Sequence, residues 1–323
     1  MDSRSGGLGD VWMRLHALYA LAALVPEVRI KVALSPALFE IAEAAFAGRL
    51  SINRQPAAGA FTFTHLGIRN IAMGLLRGTR FVNPFQSIIA RDRRVSDFKS
   101  RLNDAFFRLL AATGRLVLTD VHTMETYHGW LQISGLPYAR SCAPERAVEQ
   151  MSRDLPEVRA RLRTMVPEKP GRDRVVFPGG TSFQIMPLAV ALGHFSDAAF
   201  AFHVSDDYQA HFRSAGLNVI LFETPLTMLA IASQACRVIC TDSFPSHLLQ
   251  TYSSRTVLAL SHYPRRRIVH PGFDGVVVDS TATCCPCVTR ARADGGRCPA
   301  GYAFCSTWND QHYLATLSRA VQS

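Results

Sequence analysis

The sequence predicts an α/β protein built from doubly wound parallel sheets. From Arg174 onwards, short apolar runs alternate regularly with amphipathic stretches of about ten residues, a pattern typical of parallel βαβ units. The chain of 323 residues is long enough for two domains, each with its own core. Ligands of such sheets bind beyond the carboxyl ends of the strands, so the turns that follow predicted strands are the first candidates for a site.

The first half of the chain shows a less regular alternation. Apolar residues spaced three and four apart predict the first helix, and Pro36 stands at a first helical position, where proline is favoured. Strands are predicted at residues 28–34, 61–63 and 115–119, and helices at residues 8–24, 36–46, 96–112 and 145–165. Pro156 lies inside the last of these helices and is expected to break it.

The second half contains the regular alternation and the best candidate for a domain boundary. Strands are predicted at residues 174–177, 199–203, 218–222, 237–240 and 256–260, and helices at residues 183–193, 206–215, 226–234, 246–252 and 308–321. Two prolines and a glycine around a charged pair make Pro167–Gly171 the candidate linker. We therefore expect an N-terminal domain at 1–166, a second domain at 167–307, and a closing helix at 308–323 that crosses back to the N-terminal domain.

The chain is basic, with a formal net charge of +10. Arginines cluster at 91–94 and 265–267 without the interleaved aromatic residues of nucleic-acid-binding modules, so no nucleic-acid partner is expected. The best candidate for a membrane span, Ala17–Val25, is too short, and the first ten residues lack the charged-then-apolar order of a secretory leader. The expected location is the cytoplasm, with at most peripheral contact to the inner face of the membrane.

Glycines and an aspartate open the first predicted helix. Gly6, Gly7 and Gly9 surround the point where the helix begins, and Asp10 follows them. Glycines at a helix N-terminus let a ligand approach the exposed backbone N–H groups, where the helix dipole favours anions. Asp10 in that position serves either as a helix cap or as a general base, and the sequence leaves both roles open.

Two further turns follow predicted strands of the second half. Pro178-Gly179-Gly180 comes directly after the first of these strands, and Thr241–His247 connects a later strand to a helix. Pro245 with a neighbouring serine also fits an ordinary helix start, and His247 also fits a histidine of the core. The clustering of an aspartate, hydroxyl groups and a histidine in one turn suits the recognition of ribose and phosphate.

Cysteines are concentrated near the end of the chain. Five of the eight lie within the 22 residues from 284 to 305. Disulfides are disfavoured in the cytosol, so a bound metal accounts best for this density. A closed four-thiolate shell would hold zinc or iron in a structural role, with Cys284, Cys287, Cys298 and Cys305 as the expected ligands. Reduced or reversibly oxidised cysteines are the alternative. Cys142, Cys236 and Cys240 are expected in the core.

Four segments resemble the lipopolysaccharide heptosyltransferases, a family with the GT-B fold of two Rossmann-like doubly wound domains facing each other across a cleft. Leu8–Val11 resembles the family's Gly-Asp motif, whose aspartate is the proposed general base. Asp242–His247 resembles the Asp-Ser/Thr-Gly-x-x-His motif, which contacts the nucleotide diphosphate. Phe177–Gly180 resembles the turn that opens the donor domain, and Cys284–Cys305 resembles a cysteine segment of some members.

The resemblance implies an inverting glycosyltransferase that moves a heptose-like sugar from a nucleotide-diphosphate donor, similar to ADP-heptose, to a hydroxyl acceptor. Asp10 would be the catalytic base, and no catalytic metal is expected. The acceptor would be an anionic glycolipid or a small molecule. The residues expected to bind the donor are Gly9, Gly179, Gly180, Thr181, Asp242, Ser243, Ser246 and His247.

Three departures from the family pattern define the alternatives. Only Met1–Ser5 precede the Gly-Asp turn, where members have a complete strand. Phe244 replaces the glycine of the donor motif, and Gln184 replaces the lysine of a Lys-x-Trp-Pro run. These departures favour, as an alternative, a non-catalytic member of the fold that binds a nucleotide sugar or a partner protein. The cysteines support a further alternative, a redox sensor.

Overall fold

The computed structural model describes residues 2–3, 7–27, 29–54, 81–83, 116–118, 144–179, 185–261, 265–283 and 304–322. The chain divides into two compact units, Met1–Asp154 and Leu155–Ser323. The predicted strand at 61–63 and the predicted helix at 96–112 lie outside the described residues.

The first unit contains a parallel three-stranded sheet in the order β1-β2-β3. Its elements are β1 (Asp2–Ser3), α1 (Leu8–Leu24), β2 (Ile30–Leu34), α2 (Pro36–Ala45) and β3 (Leu50–Asn53), followed by the parallel pair β4 (Phe81–Asn83) and β5 (Leu116–Leu118). The predicted helices at 8–24 and 36–46 are confirmed. The first strand is present but short, because only Asp2 and Ser3 pair, with Ala33 and Leu34 of β2.

Helix α1 forms the centre of the core of the first unit. Every residue from Val11 to Ala22 is buried. Trp12, His16 and Tyr19, three or four residues apart on one helix face, all contact the ring of Phe46, with ring centroids 5.1, 5.0 and 5.5 Å away. Neither α1 nor any other helix of the described ranges has the length and hydropathy required to cross a membrane.

Helix α3 (Pro144–Met165) continues through Pro156, so the predicted break at this proline is wrong. The reason lies in its buried stripe. Met151, Leu155, Val158 and Leu162 follow each other at spacings of three and four and are all buried, so both halves of the helix pack along one line. Pro156 itself is exposed, and the backbone hydrogen bond that it cannot donate is lost on the solvent side.

The second unit is one parallel six-stranded sheet with helices between its strands. The elements are β6 (Arg174–Phe177), α4 (Leu188–His194), β7 (Ala199–His203), α5 (Gln209–Ser214), β8 (Asn218–Phe222), α6 (Pro225–Gln234), β9 (Arg237–Thr241), α7 (Phe244–Tyr252), β10 (Thr256–Ala259), α8 (Arg265–Ile268), β11 (Val276–Val278) and α9 (Gln311–Gln322). Helix α4 begins at Leu188, later than predicted, because Pro187 disfavours helical backbone at the residue before it.

The strand order in this sheet is β8-β7-β6-β9-β10-β11, and all neighbours are parallel. Numbered within the unit, this is the order 3-2-1-4-5-6 of a doubly wound nucleotide-binding sheet. The predicted doubly wound α/β fold is therefore confirmed for this unit. Between its layers, the ring of Phe212 on α5 contacts Phe200 and Phe202 of β7, each with centroids 5.0 Å apart.

The last helix, α9, packs on this same sheet. It follows a short 3₁₀ turn at Ser306–Asn309 and buries Tyr313, Leu314, Leu317 and Val321 in the core that β6, β7 and β10 share. The sequence predicts that this helix crosses back to the N-terminal domain, whereas the structure groups it with the second unit.

The predicted linker, residues 167–171, is held against the second unit by its backbone. The N–H of Lys169 donates to the carbonyl of Ser233 at 3.0 Å, and the N–H of Gly171 donates to the carbonyl of Gln234 at 2.7 Å. Both acceptors lie at the end of α6, where helix carbonyls lack intrahelical partners. The segment therefore completes the end of a neighbouring helix.

Glu168 adds an electrostatic contact to this attachment. Its carboxylate lies 3.0 Å from Arg163 and 3.1 Å from Arg255. Burial tends to raise the pKa of Glu168, but hydrogen bonds from Ser253 and Arg255, together with the charges of both arginines, outweigh burial and lower the pKa below its ordinary value of 4.5.

Replacing Glu168 with glutamine (Glu168→Gln) is expected to lower the free energy of unfolding by about 1–2 kcal/mol at neutral pH, because charge-assisted hydrogen bonds to a half-buried carboxylate are lost. Since the folded-state pKa is depressed, this stabilisation is complete above pH 4.5 and disappears as the pH falls through the lowered pKa. Urea unfolding followed by circular dichroism at several pH values measures the difference between the two proteins.

Glu149→Gln is the matched control. Glu149 pairs with Arg153 on the surface of α3, with 58% and 65% of the two side chains exposed. An exposed pair of this kind contributes about 0.5 kcal/mol or less. Equal effects of the two substitutions would contradict the role given to Glu168.

Candidate functional site

The turns after β6 and β9 lie side by side, because these two strands are neighbours in the sheet. Phe177 faces Cys240 in their register, so the turns that carry Gly179 and Asp242 leave the sheet from neighbouring strand ends. The hydroxyl of Thr241 donates to the carbonyl of Phe177 at 3.4 Å across this pair. The strand order reverses between β6 and β9, which is the position where open α/β sheets bind ligands. The structure thus brings together the two turns singled out in the second half of the sequence.

The turn after β6 is closed by a backbone hydrogen bond, and its Gly179 lies close to the carboxylate of Asp206. The N–H of Met186 donates to the carbonyl of Pro178 at 2.9 Å, which closes the base of the loop. A Cβ atom added at Gly179 would lie 2.9 Å from Oδ2 of Asp206, closer than side-chain carbons approach. A side chain at this position would therefore displace the end of the Asp206 side chain. Gly180 and Thr181 lie outside the described residues.

The turn after β9 begins α7 with hydrogen bonds of its own. Ser246 is fully buried, and its Oγ accepts from the N–H of Ser243 at 3.2 Å and donates to the carbonyl of Ser243 at 2.6 Å. The half-buried Ser243 donates its hydroxyl to the carbonyl of Thr241 at 3.2 Å. Asp242 and His247 are buried, at 5% and 7% exposure. In this structure Ser246 has the role of an ordinary helix start, which is one of the two interpretations of this turn.

Few backbone donors remain at the start of α7 for a ligand. Pro245 has no N–H, and the amides of Ser246 and His247 both donate to the carbonyl of Ser243, at 3.0 and 3.4 Å. Among the described residues of this turn, this leaves the amide of Phe244 as a donor for a phosphate, and the hydroxyl of Ser243 could donate only by giving up its hydrogen bond to the carbonyl of Thr241. The helix dipole still favours an anion here, but with fewer hydrogen bonds than a glycine-rich helix start offers.

Asp206 also belongs to this edge of the sheet, although the sequence interpretation treats it only as the start of a helix. Its Oδ1 accepts from the N–H of Tyr208 at 3.0 Å, and its Oδ2 faces Gly179. His203 ties the ends of β7 and β8 together, because its Nε2 lies 3.2 Å from the carbonyl of Glu223. The sequence does contain a signal for Asp206, because it is an acidic residue that follows β7, the second strand of this sheet. Doubly wound nucleotide-binding sheets carry the residue that binds a ribose at this position.

In the first unit, Asp10 lies over the glycine that precedes α1. Gly7 is the cap residue of this helix, and a Cβ atom added there would lie 3.2 Å from Oδ2 of Asp10. The half-buried carboxylate thus folds back over the turn at the positive end of the helix dipole. Gly9 lies in the first turn of α1 and is buried, and it has no side chain that would cover the backbone there. Both roles considered for Asp10, cap and general base, fit this placement.

Cys305 is part of a buried hydrogen-bond network. Its thiol donates to the carbonyl of Ser261 at 3.3 Å. A thiol needs its proton for this bond, whereas a cysteine that ligates zinc or iron is a thiolate. The described geometry therefore fits Cys305 as a structural thiol. The other three expected ligands, Cys284, Cys287 and Cys298, lie outside the described residues.

The remaining described cysteines have structural positions. Cys240 is completely buried in β9, and burial raises the pKa of its thiol well above the ordinary value, which makes it unreactive. The thiol of Cys236 donates to the carbonyl of Arg172 at 3.1 Å. Within the described ranges, no three His, Cys, Asp or Glu side chains are grouped so that they could hold a metal ion.

The fold is shared with solved glycosyltransferases. The E. coli ADP-heptose LPS heptosyltransferase II has a TM-score of 0.51 at 14% sequence identity, over 99% of this chain and 98% of that protein. A family 9 glycosyl transferase from Veillonella parvula has a TM-score of 0.54 at 11% identity, over 98% and 96%. No family model and no curated protein matches the sequence. The chain thus has the α/β fold of these transferases along nearly its whole length, and the resemblance noted in the sequence is confirmed at the level of the fold.

Gly179→Ala is expected to lower the free energy of unfolding by about 0.5–1.5 kcal/mol, because the new methyl group would displace the carboxylate of Asp206 and weaken its hydrogen bond with the N–H of Tyr208. The matched control is Gly193→Ala in α4, where an added Cβ atom meets nothing within 4 Å. That substitution should raise stability by about 0.5–1 kcal/mol, since alanine is the better helix former. Urea unfolding of the two variants measures both effects. A stable Gly179→Ala protein would contradict the close approach described above.

Proposed function

We propose that this chain is a glycosyltransferase that moves a heptose-like sugar from a nucleotide-diphosphate donor to a hydroxyl group of an acceptor. The observation that carries the proposal is the meeting of two ligand-type turns, at Gly179 and Asp242, where the order of a six-stranded parallel sheet reverses. The activities named for the two proteins that share this fold suggest the class of reaction.

In this proposal the donor diphosphate lies at the start of α7. The amide of Phe244 would donate to its oxygens, the hydroxyl of Ser243 would turn from the carbonyl of Thr241 to the diphosphate, and the helix dipole would stabilise its charge. Asp242 is buried, which supports a positioning role for this side chain in the donor-binding turn, and His247 is placed one helix turn further on.

The ribose of the donor would be held by Asp206. Its Oδ1 is fixed by the N–H of Tyr208, while its Oδ2 faces the turn at Gly179. A carboxylate in this place accepts two hydroxyl protons from a ribose, which is the role of the acid after the second strand in doubly wound sheets. The nucleoside would thus lie along the carboxyl ends of β6 and β7, with the diphosphate directed to β9.

Asp10 would be the general base. Its carboxylate would take the proton of the acceptor hydroxyl while the oxygen attacks the anomeric carbon and the bond to the diphosphate breaks, so that the configuration inverts. No metal takes part in this step. The acceptor would be an anionic glycolipid or a small molecule, and a lipid acceptor would bring the protein to the inner face of the membrane.

Asp10→Asn is expected to reduce turnover by about 10²–10⁴-fold, because the amide cannot accept the proton, while the affinity for the donor nucleotide stays nearly unchanged. A screen of nucleotide sugars and acceptors, with release of the nucleoside diphosphate as the signal, first identifies the substrates. Turnover and nucleotide binding are then measured on the variant.

Glu40→Gln is the control for this experiment, since Glu40 is an exposed acid on α2 of the same unit. It should leave turnover unchanged. Full activity of Asp10→Asn would remove Asp10 from the mechanism and favour its role as a helix cap.

Asp206→Asn is expected to weaken ADP binding about tenfold, equivalent to ~1.4 kcal/mol, by removing a charged acceptor for the ribose hydroxyls. Calorimetry with ADP and with 2′,3′-dideoxy-ADP forms a double-mutant cycle, in which the loss should vanish for the dideoxy nucleotide. The neighbouring exposed acid provides the control variant, Asp207→Asn, which should bind like the wild type. An equal loss for both nucleotides would contradict the contact with ribose.

The alternative is a non-catalytic protein that binds a nucleotide sugar. The observation that favours it is the internal use of the amides at the start of α7, combined with the lack of an N–H at Pro245. Binding of a nucleotide sugar without transfer or hydrolysis, across the same screen, would establish this alternative.

The cysteine segment is proposed to hold a structural zinc or iron ion through Cys284, Cys287, Cys298 and Cys305. The sulfur of Cys305 lies 3.3 Å from the carbonyl of Ser261, and metal binding would replace this contact. The metal content of the purified Cys305→Ala variant, compared with that of the wild type, tests whether Cys305 is a ligand. If the wild type contains no stoichiometric metal, the cysteines are instead reduced or reversibly oxidised, as a redox sensor requires.

A further inference from the structure

A cavity of about 680 Å³ lies at the amino ends of β2 and β3 in the first unit. Sites for small molecules usually measure roughly 300–1,000 Å³. The small side chains of Ala22 and Ala23, at the end of α1, leave the space open. At the rim, Gly48 adopts a φ of 87°, a left-handed conformation that favours glycine, and turns the chain into β3.

The described lining of this cavity carries three basic side chains. They are Arg29, Lys31 and Arg49, and the charge of Arg49 is paired with the buried carboxylate of Asp154 behind the lining. Arg49 is held in a fixed position, because its guanidinium lies 4.2 Å from the centroid of the Tyr19 ring and donates to Oδ1 of Asp154 at 2.7 Å. Arg29 and Lys31 are exposed and lie two residues apart at the start of β2.

A hydroxyl group completes the polar lining. Ser51 lies beside Lys31 in the register of β3 with β2, and neighbours in register share one face of a sheet. The site therefore places three basic side chains and one hydroxyl donor around a single space, with the guanidinium of Arg49 held by Asp154. This is the donor set that suits a phosphate group, which accepts several hydrogen bonds and carries negative charge.

This cavity is separate from the turn that carries Asp10. Both touch α1, but Asp10 lies in its first turn and Ala22 in its last, about 18 Å apart at 1.5 Å per residue. Asp10 follows the carboxyl end of β1, whereas the cavity lies at the amino ends of the strands. A ligand bound in the cavity would therefore not occupy the site proposed for sugar transfer.

We propose that this cavity binds a phosphate-bearing anion, either the headgroup of a phospholipid or a soluble phosphate ester. Arg49 would contact the phosphate from its fixed position, and Arg29 and Lys31 would close over it from the rim. The proposal stands on the first unit alone and holds whether or not the chain transfers a sugar.

Calorimetry with glycerol phosphate, in the presence of saturating ADP so that a nucleotide site is already filled, tests the proposal. The wild type should bind, and Arg29→Ala/Lys31→Ala should bind at least about tenfold more weakly, because two of the three cations are gone. The control is Arg172→Ala/Arg213→Ala, which removes the same charge from exposed positions of the second unit. Ser51→Trp, which fills the cavity at constant charge, should also abolish binding.

Sedimentation with vesicles distinguishes the two sources of the phosphate. Binding to phosphatidylcholine vesicles that contain phosphatidylglycerol, lost in both cavity variants and kept in the control, supports a lipid headgroup. Binding of glycerol phosphate without binding to such vesicles supports a soluble ester. If the wild type binds neither probe, or if the control variant loses binding as much as the cavity variants do, the proposal is wrong.

Discussion

The parallel pairing of β6 with β9 is the constraint on which the second unit depends. The chain leaves β6 in one direction, through β7 and β8, and returns to place β9 on the other side of β6. Since crossovers between parallel strands are right-handed, this reversal puts helices on both faces of the sheet and leaves the turns after β6 and β9 facing the same opening. The turns that carry Gly179 and Asp242, far apart in the sequence, leave neighbouring strand ends because of backbone pairing alone.

Most elements of the fold could be predicted, because their signals are local. The regular alternation from Arg174 onwards follows from strands that are buried on both faces and helices that bury one, and a sequence displays both patterns directly. The features that the sequence did not reveal depend on tertiary packing. Helix α3 continues through Pro156 because a buried stripe aligns its two halves, and the segment at 167–171 is attached because its amides complete the end of α6. Every residue except proline has a backbone N–H, so the sequence pattern does not predict this attachment.

The candidate site shows the same division between local and non-local information. Glycine and hydroxyl residues after a strand indicate a turn that approaches a ligand, and this was sufficient to find Gly179 and the turn at Asp242. Asp206 was missed, because its closeness to Gly179 arises from the pairing of β6 with β7. Ser246 could not be assigned from the sequence. A serine that supports a helix start and a serine that binds a phosphate occur in the same sequence pattern. The two hydrogen bonds between Ser246 and Ser243 in the structure identify the first role.

The side chains at the start of α7 determine how strongly the few donors of the proposed site would hold an anion. Phe244 and Pro245 replace accessible backbone with apolar surface, and both are half-buried beside Ser243. Apolar groups at this point exclude water from the remaining donors, and a hydrogen bond to a phosphate is stronger where the local dielectric constant is low. Pro245 thus reduces the number of donors, because it has no N–H, while the ring of Phe244 shields the remaining amide from water. An anion bound here would depend on the amide of Phe244 more than a phosphate depends on any single donor of a glycine-rich turn.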